Sequence, residues 1–335
     1  MLRTATVTKT ARVAATLGLS LVLALFATHR ALIHMPPPDP RDPTASMPPG
    51  LPAALERHTR KLAVDIGPRH LGRGDTLGAA ADYIAQALTT AGYQPSRQRF
   101  ATADGDAANV EAVLEGSGSP ARSVVVGAHY DTVPETPGAD DNASGVAVLI
   151  ELATLLRASH PAQTVRFVAF ANEEPPYFKT EAMGSLVYAR GLAKAGAGVT
   201  AMLSLECLGY FSKAASSQHY PFPVGFFYPS TGDFVSMVGN VRSRKLVKEA
   251  VRTFGRGTTL VARGAALPEL VRGVGYSDHW SFWQIGVPAL MVTDTAFFRN
   301  DAYHSAADLP ERLDFRAMAE VTMGLAAVVS TLAAE

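Results

Sequence analysis

The 335-residue sequence predicts an α/β fold built on one central, mostly parallel sheet with helices on both faces. Three features carry that expectation. Runs such as SVVVGAHYD, TVRFVAFAN and PALMVTDT are almost continuously apolar, as strands covered on both faces are. Segments with helical spacing of apolar residues alternate with them, the order in which helices pack on a sheet. Polar clusters fall where the strand-like runs stop, and ligands in such folds gather outside the carboxyl ends of strands.

The first residues stand apart from that pattern. Arg3, Lys9 and Arg12 precede an uncharged run over residues 13–28. A cut after Ala27 would put Leu25 where a cleavage site needs a small residue, which favours an uncleaved anchor. Ala31, Leu32 and Ile33 extend the run towards the roughly 20 residues of a membrane span. Residues 1–34 therefore read as a signal anchor. With the basic cluster inside, the remainder lies outside the cytoplasm, periplasmic or extracellular, or secreted if the segment is cleaved. Residues 35–52, with repeated prolines, read as a semi-rigid linker, and residues 53–335 as one folded domain.

Within the domain, Leu55, Leu62, Ala63 and Ile66 suit a helix over residues 52–67, and GDTLGAAADYIAQALTTAGY gives a second that Gly92 stops. ANVEAVLEG and SVVVGAHYD are β-branched runs separated by a Gly/Ser/Pro turn. SGVAVLIELATLLRASHP is a helix that Ser144 can cap and Pro161 ends. TVRFVAFAN is a strand, GSLVYARGLAKAG a helix and VTAMLSLECLGY a strand. An aromatic-rich loop, the helix KLVKEAVRTFG, the strand PALMVTDT and a long amphipathic helix from LDFRAMAEV onward complete the chain.

With 47% hydrophobic and 18% charged residues the chain can bury a full core, and its 30 basic and 30 acidic residues leave no net field for nucleic acid. The lone cysteine, Cys207, excludes an intrachain disulfide. Alternation in its strand places Cys207 on the apolar side, away from Glu206.

The chemistry gathers in HYDT from His129, ADDNASG from Ala139, NEE from Asn172, LECLGY from Leu205 and YHSAAD from Tyr303. Imidazoles and carboxylates at successive strand ends are the ligand types zinc accepts, and metal charge offsets the cost of burying them together. Glu173 and Glu174 are adjacent and point in different directions, so one can bind metal while the other faces substrate. Ser305 and Asp308 form an S-x-x-D pattern that can cap a short helix just past His304.

The motifs AHYDTVP, GADDNASG, FANEEPP, SLECLGY, YSDHWSFW and YHSAADLPERLD occur in an order that resembles the M28-type zinc aminopeptidases. The resemblance implies a zinc-peptidase/phosphorylase-like fold and two zinc ions per chain. It places His129 and Glu206 at one ion, Glu174 and His304 at the other, and Asp140 as the bridge. It makes Glu173 the general base towards a water shared by the ions, and puts a cis bond between Asp140 and Asp141. The family often has aspartate at the position of Glu206, so this arm is one methylene longer. Asp131, two residues past His129, can accept from its other ring nitrogen. Tyr303 or Tyr210 can donate to an oxyanion. His279 is a substrate-side or structural residue. Phe226, Phe227, Tyr228, Trp280, Phe282 and Trp283 read as core before pocket.

The expected activity is removal of an N-terminal residue from peptides or proteins. A one-zinc glutaminyl-cyclase-like acyltransferase is an alternative, although five ligand positions exceed its needs. A membrane-anchored ectodomain that only binds is the non-enzyme alternative.

Overall fold

The computed structural model describes residues 34–42 and 44–334, with positions 16, 18, 20 and 27 ahead of them, so the expected anchor lies almost wholly outside the described residues. Eight strands are described: β1 (Ser96–Thr102), β2 (Gly105–Leu114), β3 (Ser119–His129), β4 (Gln163–Phe170), β5 (Gly198–Glu206), β6 (Phe234–Asn240), β7 (Val261–Leu267) and β8 (Ala289–Thr293). Seven α-helices accompany them: α1 (Leu51–Arg60), α2 (Thr76–Thr90), α3 (Gly145–Leu156), α4 (Gly184–Lys194), α5 (Arg244–Phe254), α6 (His279–Gln284) and α7 (Phe315–Ala334).

The strands form one sheet in the order β1-β2-β4-β3-β5-β8-β6-β7. The centre, β4-β3-β5-β8, is parallel, and antiparallel pairings of β2 with β4 and of β6 with β8 attach the two margins. Parallel direction brings the carboxyl ends of β3, β4, β5 and β8 to one edge, where the polar clusters sit.

Side-chain alternation divides the core in two. Val124 and Val126 of β3 join Leu55, Ile84, Leu149 and Val328 in a cluster built with α1, α2, α3, α5 and α7. Val125, between them, joins Val168, Phe170, Tyr188, Phe282 and Trp283 on the opposite face with α4 and α6. Helix α7 is long and apolar enough to cross a membrane by composition, yet it packs against α1, α3 and α5 as a core helix.

The sequence reading missed β1, β6, β7 and α6. SRQRFAT in β1 is half-exposed at the sheet margin and lacks an apolar run. The segment expected to be a linker is also held. Asp39 N donates to Arg252 O (2.7 Å), Asp42 N donates to Arg256 O (2.9 Å), and the Asp39 carboxylate pairs with both guanidinium groups at 2.8 and 2.6 Å. Helix α1 begins at Leu51, and the strap ahead of it lies along the end of α5.

Candidate metal centre

Each strand end turns sharply at the site. Asn172, Cys207 and His304 adopt left-handed φ of 60°, 49° and 56°. Such backbone costs about 1–3 kcal/mol per residue for side-chain-bearing types and persists where the surroundings demand it. Here Asn172 precedes Glu173, Cys207 follows Glu206, and His304 is itself in the cluster.

The loop ahead of α3 is fixed from several sides. Gly138 has φ +61°, and a Cβ there would fall 2.4 Å from both Asp141 O and Thr132 Cγ2, so only glycine fits. Asp308 accepts from Asp140 N (2.9 Å) and Asp141 N (3.1 Å). Asp308 thus supports this loop through its carboxylate, while Ser305 Oγ donates to Ala302 O; the expected capping pair is not formed. Asn142 Nδ2 donates to Leu205 O (2.8 Å) and its Oδ1 accepts from Cys207 N (3.1 Å), tying the loop to β5. Ser144 makes no cap; its hydroxyl donates to Asp140 O (2.6 Å) and accepts from Leu208 N (2.8 Å).

Two triads converge above this loop. His129 Nε2 lies 3.2 Å from Asp141 Oδ1 and 3.3 Å from Glu206 Oε2. His304 Nε2 lies 3.0 Å from Asp141 Oδ2 and 3.1 Å from Glu174 Oε1. Asp141 gives one carboxylate oxygen to each triad.

This corrects the sequence reading by one residue. Asp140, expected as the bridge, has both oxygens engaged elsewhere: Oδ1 accepts from Gly209 N (2.9 Å) and Oδ2 from Asn300 Nδ2 (2.8 Å). Its carboxyl is pushed well above the usual carboxylate range by burial and by Asp294. The cis peptide bond correspondingly joins Asp141 and Asn142, not Asp140 and Asp141.

The donor set fits divalent metal. His129 Nε2, both Asp141 oxygens and Glu174 Oε1 are buried without a hydrogen-bond partner among the described residues, although they lie 3.0–3.3 Å from ring nitrogens or carboxylates. These groups point at shared space more than at one another. Zinc held at 2.0–2.2 Å by tetrahedral N and O ligands separates them by about 3.3 Å. Burial and opposed charge perturb the whole set. Burial pushes Glu174 up to about 8, with Asp141 adding and His304 opposing. His304 rises to about 10 because Asp141 and Glu174 outweigh burial. Asp141 falls well below the carboxylate range because the two imidazoles outweigh burial.

Glu206 reaches its triad despite the longer arm. Ser277 Oγ donates to Glu206 Oε2 (2.7 Å) and is joined to Ser204 Oγ (2.7 Å). Cys207 also touches this carboxylate, with Sγ 3.3 Å from Glu206 Oε1, so it does not face away as alternation suggested. The strand ends at Glu206, and the left-handed turn at Cys207 breaks the alternation.

Asp131 accepts from Glu173 N and Glu174 N at 3.0 Å each, which fixes the backbone of both glutamates, and lies 3.5 Å from His129 Nδ1, which has no hydrogen-bond partner among the described residues. Glu173 is buried, belongs to neither triad, and is pushed well above its ordinary value by burial, then by Glu206, Glu174 and Asp278 against His129. Tyr303 stacks on His304, with centroids 3.9 Å apart. It lines the cavity beside Glu206, whereas the Tyr210 ring lies under the Arg312 guanidinium.

His279 is buried, hydrogen-bonds Val274 O (2.8 Å) through Nε2 and packs edge-on to Trp283, while its Nδ1 has no hydrogen-bond partner among the described residues. The sequence reading passed over its neighbour Asp278. That side chain is fully buried with neither oxygen partnered among the described residues, and burial pushes it up to about 7, with His129 opposing and Glu206 and Asp131 adding. Its position in YSDHWSFW was the available signal.

A cavity of about 90 Å³ opens beside Glu206 and Tyr303. Tyr220, Tyr228, Val238, Leu267, Val274, Tyr276 and Phe297 line it. Of the aromatic residues read as core, Phe282 and Trp283 are buried, Tyr228 lines this cavity, and Phe226 is 77% exposed.

Comparison with known proteins bears on the family and the fold. The uncharacterized protein YfbL of Escherichia coli K12 is 37% identical over 283 residues, 82% of this chain and 86% of that protein. A probable leucine aminopeptidase of Arthroderma otae is 29% identical over 228 residues, 63% of this chain; the matched region spans only 53% of that protein. In structure the chain is similar to BSAP, a zinc aminopeptidase from Bacillus subtilis, with TM-score 0.68, 15% identity and coverage of 86% and 96% of the two chains. It is also similar to Fimbriiglobus ruber glutaminyl cyclase, with TM-score 0.63, 21% identity and coverage of 89% and 99%. The profile of peptidase family M28 matches residues 109–329, and with both strand-end triads in place the chain belongs to that family.

Proposed function

We propose that this protein is a two-zinc aminopeptidase that cleaves the first peptide bond of substrates with an apolar N-terminal side chain. One observation carries the reading: Asp141 presents one oxygen to each of two ligand triads. His129, Asp141 and Glu206 would hold one ion; Asp141, Glu174 and His304 would hold the other. When bound, the ions would polarise the scissile carbonyl and lower the pKa of the attacking water.

The chain's own residues do the rest. Glu173, kept out of both triads and raised by burial, takes the water's proton on its carboxylate and returns it to the leaving amine. The Tyr303 hydroxyl donates to the developing oxyanion. Asp131 fixes the backbone of both glutamates and lies beside the His129 ring. The apolar cavity receives the N-terminal side chain. A signal anchor over residues 1–34 would hold this domain at a membrane outside the cytoplasm.

The test is hydrolysis of a panel of aminoacyl anilides before chelation, after it, and after zinc add-back. Release that chelation abolishes and zinc restores, greatest for leucine or phenylalanine, is the expected result. Cyclisation of N-terminal glutamine without anilide release would favour the cyclase, and a metal-loaded protein inert towards both would favour a binding role.

A further inference from the structure

The loop that begins with Glu173 and Glu174 folds back through Tyr177 N to Glu174 O and Thr180 N to Tyr177 O, each 2.9 Å, and presents Lys179. Lys179 adopts a left-handed φ of 58°. Its ammonium lies 5.0, 5.5 and 5.3 Å from the ring centroids of Phe178, Tyr276 and Trp280. Three rings therefore surround the cation, and Tyr276 also lines the apolar cavity.

Among the described residues no carboxylate lies within ion-pair distance of Lys179, whereas Arg60, Arg166, Arg252 and Arg256 each have one. Burial lowers the Lys179 pKa, and the charges that raise it again are Glu173 first and Glu269 second. Tyr276 thus joins the Lys179 cradle to the cavity wall, and the loop that carries the cation begins at Glu173.

We propose that Lys179, in its cradle of Phe178, Tyr276 and Trp280, binds a carboxylate carried by the residue that leaves. This rests on the aminopeptidase reading and names its substrate class: short peptides with an apolar first residue and an anionic second one. The carboxylate has two sources, the terminal α-carboxylate of a dipeptide or the side chain of an acidic second residue. A charge-assisted hydrogen bond to a partly desolvated ammonium is worth roughly 10-fold or more in selectivity.

The experiment measures kcat/KM of the zinc-loaded protein for two matched pairs, Leu-Gly against Leu-Gly amide and Leu-Asp amide against Leu-Asn amide. At least one pair is expected to favour its carboxylate member by about 10-fold. In Lys179→Met that ratio should fall to near one whatever the absolute rates, and Lys179→Arg should restore most of it. The pair that responds identifies the source. A wild-type protein without preference in either pair, or a preference that survives Lys179→Met, overturns the subsite alone. No chelator-sensitive hydrolysis of any peptide or of leucine anilide overturns the aminopeptidase reading and the subsite with it.

Discussion

Arg69 and the paired triads are two clusters of buried charge on neighbouring turns, and they are satisfied in opposite ways. Arg69 is fully buried, yet its guanidinium donates to Tyr130 O, Leu62 O, Gly67 O, Pro137 O and Gly138 O at 2.8 to 3.1 Å. Burial lowers its pKa only to about 10, so it stays charged and stitches three loops together. The triads are equally buried at His129 and Asp141, but their atoms lack partners and aim at common space. Burial of charge alone does not mark a functional site, because a charge fully met by carbonyls is structural. Unmet donors and acceptors that converge are the mark of a ligand site.

Variants on each side should separate the two kinds of cluster. Glu173→Gln has the largest expected effect: turnover falls by about 10²–10⁴-fold with zinc content unchanged, read by anilide kinetics beside metal analysis. Full activity in that variant would remove Glu173 from the mechanism. Arg69→Met should instead cost about 3–5 kcal/mol in stability through carbonyls left unpaired, while metal per folded chain holds. Denaturant unfolding and metal analysis on one preparation check both halves.

His279 supplies a pH dependence of stability. Burial lowers its folded pKa to about 4 from 6.5, so the unfolded chain takes up the proton first. Its contribution is complete above about pH 6.5 and is lost as the pH falls towards 4, to a ceiling of about 3 kcal/mol. His279→Gln should flatten that part of the stability profile between pH 7 and 4, measured by unfolding at constant ionic strength. The smallest effect is expected at the strap. Asp39→Ala removes ion pairs to Arg252 and Arg256 that are partly exposed, so a loss of about 1 kcal/mol or less is expected, without change in kcat.

The same contrast explains what the sequence disclosed. Strand ends and ligand types were legible because apolar runs stop at His129, Asn172 and Glu206, and parallel strands bring those stops together. The choice between Asp140 and Asp141 was not. Both are acidic, both lie in a loop without periodicity, and Asp308, Gly209 and Asn300, distant in sequence, decide which one turns inward. The left-handed turn at Cys207 was hidden too, because cysteine does not advertise that backbone. β6 and β7 were missed because FVSMVGN and VARGAAL are short and interrupted by small residues. The strap was hidden because prolines describe extended chain and say nothing of what that chain lies against.

Asp141, and not its neighbour, presents an oxygen to each of the two triads. Zinc stoichiometry should be measured by elemental analysis on zinc-loaded, desalted wild type, Asp140→Asn and Asp141→Asn, each confirmed folded. Close to two ions per chain are expected in wild type and Asp140→Asn, and well under one in Asp141→Asn. Two ions retained by Asp141→Asn, with loss in Asp140→Asn, would contradict that expectation.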